Sequence, residues 1–190
     1  MTVICCYETT KEYWIGSDTA GSADDFITNV GTKIFSKNNY IVGFAISLRA
    51  GNIIEELEDL PKDIKNIEDF RTFRDCVMLA MIEKGGCSSV SQESDSTFMH
   101  PLELIVISPY GAWTMGPDYQ INEIIEKYCS IGSGELVATG ALFFAAINNE
   151  PDGEHVIKTS LSAAIKHIGN CSGDCCIMKL NKKKARKKRR

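Results

Sequence analysis

The sequence predicts an α+β fold, with antiparallel sheets carrying paired helices on their outer faces. Three observations lead there. Apolar periodicity runs in the order four strands, two helices, two strands, two helices and one strand. The helices therefore come in pairs and not one after each strand, which excludes a parallel βαβ winding. The chain has 190 residues, 44% of them apolar and 24% charged, which suits a single soluble domain with a sizeable core.

Val3 to Tyr7 is an apolar, β-prone run, and Tyr13 to Asp18 a second one beyond the polar turn Glu8 to Lys11, so residues 2–18 read as a hairpin. Residues 19–32 are rich in Gly, Ser, Thr, Asp and Asn and read as a loop. Lys33 to Phe35 and Tyr40 to Ile46 are strands around Ser36 to Asn39. The period then changes. Ile53, Ile54, Leu57 and Leu60 mark a short helix stopped at Pro61, and Ile67, Phe70, Phe73, Val77 and Met81 mark a second, closed by Gly85-Gly86. Residues 87–101 are polar and read as a surface loop. Strands return at Leu102 to Ser108 and Ala112 to Met115. Leu136, Val137, Gly140, Phe143, Phe144 and Ile147 mark a third helix. Val156, Ile157, Leu161, Ala164, Ile165 and Ile168 mark a fourth, and Asp174 to Leu180 is a last strand.

Composition excludes several classes. No apolar run approaches the ~20 residues of a membrane span, and no basic leader marks a secretory signal, so a cytoplasmic protein without membrane contact is expected. The eight cysteines (5, 6, 76, 87, 129, 171, 175 and 176) are scattered through strand-like and helix-like segments and read as buried thiols of a reducing compartment. Cys171 with Cys175-Cys176 lacks a matching ligand pair elsewhere, so no metal is expected, and no cofactor fingerprint is present. His100, His155 and His167 lie near no Gly-framed Ser or Cys, which argues against a Ser-His-Asp site.

The net charge of −4 conceals an asymmetry. Residues 182–190 carry eight positive charges and one apolar residue. Without them, 13 Lys and Arg stand against 25 Asp and Glu, a net −12 over residues 1–181. The tail cannot fold alone and reads as disordered, with at most a weak polyanion contact. It has no aromatics to stack on bases.

The informative residue is Thr2. Its small side chain suits removal of Met1, which would leave a hydroxyl nucleophile and an α-amine base on one residue. The unperturbed amine pKa of roughly 7.7 to 8.0 allows it to accept a proton near neutral pH. A small second residue is common, so other residues must add weight. Thr2-Val3-Ile4, Ile15-Gly16-Ser17-Asp18, Gly31-Thr32-Lys33-Ile34, Gly43-Phe44-Ala45, Ile131-Gly132-Ser133-Gly134 and Ser172-Gly173 do so by their order and spacing. Together they resemble the proteasome-type N-terminal nucleophile (Ntn) hydrolases, most of all the bacterial HslV-type ATP-dependent threonine peptidases and proteasome β subunits, over about residues 2–180.

The resemblance implies a four-layer αββα sandwich over residues 1–181. It implies a threonine endopeptidase that cleaves unfolded polypeptides inside a homo-oligomeric ring fed by a hexameric ATPase unfoldase. Thr2 would be the nucleophile and Lys33 would keep the site positive. Asp18 would hold Lys33. Ser133 and Ser172, with Asp18, would hydrogen-bond around the α-amine. Ser47 would supply a backbone oxyanion donor. Taken without the resemblance, Asp18 is a loop acid, Lys33 a strand-end lysine and Ser133 a helix cap. Two departures stand out. Ile46-Ser47 replaces the family's Gly-Gly, and Gly169 stands where β subunits carry an acid. Ile46-Ser47 and the basic tail favour a second reading, a catalytically inactive proteasome-like assembly or binding protein. A third, an Ntn amidohydrolase acting on a small amide, fits the lysine spacing less well.

Overall fold

The computed structural model describes residues 2–23, 26–84, 88–89, 98–99 and 102–183. Its first strands are β1 (Ile4–Glu8), β2 (Glu12–Asp18), β3 (Ala20–Ala23), β4 (Phe26–Asn29), β5 (Ile34–Lys37) and β6 (Tyr40–Ile46). Helices α1 (Leu48–Glu56) and α2 (Ile67–Glu83) follow, then β7 (Ser88–Ser89), β8 (Phe98–Met99), β9 (Leu102–Ser108), β10 (Gly111–Met115), β11 (Ile121–Glu123) and β12 (Tyr128–Ile131). Helices α3 (Glu135–Ile147) and α4 (Gly153–His167) lead to β13 (Cys175–Asn181).

Two antiparallel sheets carry the structure. One has the strand order β12-β1-β2-β13, the other β11-β10-β9-β6-β5. Three apolar clusters lie on their faces. Ile4, Cys6, Ile15 and Ile131 of the first sheet pack with Ile41, Ala45, Ile105 and Ile107 of the second. The other face of the first sheet, through Val3, Cys5 and Tyr7, meets Leu142 of α3 and Ile157 and Leu161 of α4. The other face of the second, through Phe44, Leu104 and Trp113, meets Ile54 of α1 and Phe70, Phe73 and Val77 of α2. Strand β1 is thus buried on both faces. That is why its sequence is an unbroken apolar run and not an alternation.

Helices α1, α2 and α4 begin where side chains satisfy free N–H groups. Ser47 Oγ accepts from Ala50 N–H at 3.2 Å, Asn66 from Glu68 and Asp69, and Asp152 from His155. Helix α2 also places Glu68 and Asp69 in its first turn, and α4 places Lys166 and His167 in its last, as the helix dipole favours.

The structure departs from the sequence reading in several places, among them the short paired strands β7 and β8 inside the expected surface loop. Residues 19–32 contain the hairpin β3–β4, paired from Ala20↔Asn29 to Ala23↔Phe26; its strands, Ala-Gly-Ser-Ala and Phe-Ile-Thr-Asn, show no apolar–polar alternation. Helix α1 starts at Leu48, five residues before its first periodic apolar position, because Ser47 caps it there. Strands β11 and β12 are only three and four residues long and carry no legible alternation. The tail expected from Lys182 is anchored through its first two residues. Lys182 N–H donates to Lys11 O and its Nζ pairs with Glu8, while Lys183 N–H donates to Pro109 O at 2.8 Å. Residues 184–190, Gly85-Gly86, Cys87 and His100 lie outside the described residues.

Among the described residues seven cysteines are free. No group of three metal-ligating side chains occurs among them, and no helix is long and apolar enough to cross a membrane.

Candidate active site

Four segments distant in sequence converge at the start of β1. Thr2 precedes that strand, Asp18 ends β2, Lys33 precedes β5, and Ser133 lies in the turn between β12 and α3. The β1–β2 register pairs Ile4 with Ser17, which brings Asp18 beside Val3. Asp18 N–H donates to Val3 O at 3.3 Å, and Val3 N–H donates to Asp18 Oδ1 at 3.0 Å.

Asp18 Oδ1 also accepts from Lys33 Nζ at 2.7 Å. The two side chains are 0% and 1% exposed, so this ion pair lies in the interior. Burial lowers the Lys33 ammonium pKa below its ordinary value, while the hydrogen bond and charge of Asp18 raise it. The second carboxylate oxygen, Oδ2, accepts from Ser172 N–H at 3.4 Å. Ser172 therefore enters the network through its main chain.

Ser133 does not cap α3. Gly134 occupies the cap position, and no side-chain cap bond is made there. Instead Ser133 Oγ accepts from Thr2 N–H at 3.2 Å and donates to Thr2 O, also at 3.2 Å. The Ile131-Gly132-Ser133-Gly134 turn makes this approach through Gly132, whose φ is +90°. A Cβ on Gly132 would lie 2.4 Å from Thr2 O. Only glycine fits both the dihedral and the space.

Thr2 and Lys33 open onto a cleft of about 260 Å³ whose other walls are Gly21, Phe44, Ile46, Ser47 and Leu48. Ser47, expected as a backbone donor, thus lines the same cleft as Thr2. Its N–H donates to Ala45 O at 3.1 Å.

Sequence reasoning missed several members of this network. Ser17 Oγ accepts Lys33 N–H at 3.4 Å and is fully buried. Thr19 Oγ1 accepts Asp174 N–H at 2.9 Å, tying the turn after Ser172 to the end of β2. Cys171 Sγ lies 3.8 Å from Ser133 Oγ, and burial pushes its thiol pKa up. Glu103 of β9 meets the Gly132 backbone from the second sheet. Ser17 and Cys171 adjoin residues singled out from sequence, and adjacency was the only signal for them. Thr19 and Glu103 carried none.

No protein-family model matches the sequence, and no curated protein matches it. Solved structures do. The BPH protein of Thiobacillus denitrificans superposes with a TM-score of 0.81 at 16% identity, covering 96% of this chain and 100% of that one, and it has also been solved in complex with epoxomicin. HslV of Trypanosoma brucei superposes with a TM-score of 0.67 at 16% identity, over 94% of this chain and 99% of that one. Anbu of Yersinia bercovieri gives 0.70 at 12% identity, over 94% and 81%. The chain has a proteasome-like fold.

Proposed function

We propose that this proteasome-like chain is a threonine endopeptidase, built on a four-layer αββα sandwich, that cleaves unfolded polypeptides. The succession of helix pair, sheet, sheet and helix pair around three apolar clusters supports the architecture. One observation carries the activity. The buried Asp18–Lys33 pair and Ser133 meet around Thr2, which shares its cleft with Lys33.

Removal of Met1 frees the Thr2 α-amine at the atom that now donates to Ser133 Oγ. The amine takes the proton of Thr2 Oγ, and the oxygen attacks a substrate carbonyl carbon. The nearby Lys33 ammonium favours the alkoxide-like state, and Asp18 fixes that ammonium by accepting its hydrogen bond. The tetrahedral oxyanion is met by the Ser47 N–H. Collapse expels the peptide amine, which takes the proton from the α-ammonium and leaves a Thr2 ester. The same amine then deprotonates a water that hydrolyses the ester.

Assembly into a homo-oligomeric ring, served by a hexameric ATPase, is part of the proposal. Leu136, Phe143, Phe144 and Ile147 of α3 are between 52% and 82% exposed, an apolar face that suits burial against another copy.

The test is adduct formation. The full chain, incubated with epoxomicin, is expected to gain one inhibitor mass on a protein lacking Met1, and Thr2→Ala is expected to gain none. Full retention of Met1, or an adduct that survives Thr2→Ala, would overturn the assignment.

A further inference from the structure

Ile46 ends β6 with a φ of +77°. A β-branched residue is rare in that region, because its Cβ crowds the backbone. The residue is held by one bond, Ser47 N–H to Ala45 O, which closes a three-residue γ-turn of the strained, positive-φ kind about Ile46.

Both flanks of the turn are fixed. On one side Ile46 stands in register with Leu102 at the end of the β6–β9 ladder. On the other, Ser47 Oγ accepts Ala50 N–H and Ser47 O accepts Gly51 N–H, each at 3.2 Å, so Ser47 is tied into α1. Between these anchors the Ile46 side chain is 53% exposed, so no core packing demands its dihedral. The strain sits on the wall of the cleft that Thr2 and Lys33 share. Strain with no packing cause beside a reacting group is a sign of two available states.

We infer that Ile46 is a positioning residue. Its γ-turn withholds the Ser47 N–H from the cleft, and rotation of Ile46 into negative φ turns that N–H toward the oxyanion of an acylating substrate. This rests on the peptidase reading above. The exchange is favourable on both counts available. A developing oxyanion is a better acceptor than the neutral Ala45 carbonyl, and leaving the turn relieves the φ penalty of a β-branched side chain. The residue type at position 46 therefore sets how readily the donor is released. A β-branched residue primes the turn to open, whereas one that tolerates positive φ holds it shut.

The experiment compares Ile46→Val, which keeps the branching, with Ile46→Asn, which tolerates positive φ, in the full chain. With a peptide epoxyketone, kinact is expected to be about tenfold lower in the Asn variant than in the Val variant. KI should be the same, because the initial contacts do not use the Ser47 N–H. Amide hydrogen exchange at Ser47 in the free protein is expected to be slower in the Asn variant. Equal kinact and equal Ser47 exchange in the two variants would overturn the inference. So would an adduct structure in which Ser47 N–H still reaches Ala45 O. If no variant and no wild-type protein forms an adduct, the peptidase reading fails. The Ser47 exchange comparison still decides whether Ile46 controls the amide.

Discussion

Lys33 Nζ stands 2.7 Å from Asp18 Oδ1, and both side chains are buried. The pair joins the first sheet, through the end of β2, to the segment that opens the second, so it has a structural as well as a chemical role. From sequence alone Lys33 reads as a strand-end lysine, but its side chain is buried.

Lys33→Ala is expected to abolish reaction of Thr2 with epoxomicin. It is also expected to lower unfolding stability by about 3–5 kcal/mol, because it strands the Asp18 carboxylate in the interior. The double variant Lys33→Met with Asp18→Asn, which removes both charges, should be equally unreactive but lose less stability. Urea unfolding and intact mass measured on the same samples separate the two effects. A double variant less stable than Lys33→Ala would refute the account of the pair.

Gly132→Ala places a methyl group 2.4 Å from Thr2 O at a φ of +90°. The variant should lose about 2 kcal/mol or more and acylate far more slowly, since the Ser133 turn must move off Thr2. Gly140→Ala in α3 is the control, because its Cβ would meet open space. It should be neutral or gain up to about 1 kcal/mol from helix propensity. Equal behaviour of the two variants would contradict the contact.

Burial, and then the charge of Glu135, hold the Glu103 carboxyl above its ordinary pKa, against the opposing Gly132 backbone N–H. With the folded pKa above the unfolded one, the folded state binds more protons. The contribution of Glu103 to stability is therefore greatest below the unfolded pKa and declines as pH rises through the folded one. Glu103→Gln removes this titration. The variant should melt higher than the wild type at pH 7.5, with the gap closing as pH falls to about 4. A gap that widens toward acid would reverse the sign of the assignment.

Lys182 and Lys183 divide the basic tail. The Lys182 ammonium pairs with Glu8, donates to Thr9 O at 2.6 Å and lies 4.9 Å from the Tyr13 ring centre, and Lys183 lies over Tyr110. Ending the chain after Lys183 should leave unfolding unchanged, whereas ending it after Asn181 should cost about 1–3 kcal/mol. Residues 184–190 carry six of the eight charges. If they contact duplex DNA, the slope of log affinity against log salt can reach about 5, at about 0.9 per phosphate. That slope should vanish when the chain ends at Lys183.

Much of this protein was legible in its residues. The paired helices, and the strand runs that form β1, β2, β6, β9, β10 and β13, announce themselves by local pattern. Period and run length are properties of neighbouring residues. Thr2, Asp18, Lys33 and Ser133 were readable because each sits in a short motif at a telling distance from the others. What no local pattern could supply is who meets whom. The β1–β2 and β1–β12 registers bring Asp18 and Ser133 to Thr2 across 16 and 131 positions. Burial, which depends on the packing of two sheets and four helices, turns an ordinary Asp and Lys into an interior ion pair. Ser133 could have been a helix cap by its sequence. Gly134 holds the cap position, and the left-handed Gly132 swings the hydroxyl onto Thr2. Ser172 acts through a backbone N–H, which every non-proline residue has and no sequence marks. The positive φ of Ile46 is the furthest from sequence of all. A β-branched residue disfavours it, and a single bond from Ser47 N–H to Ala45 O, between β6 and α1, holds it.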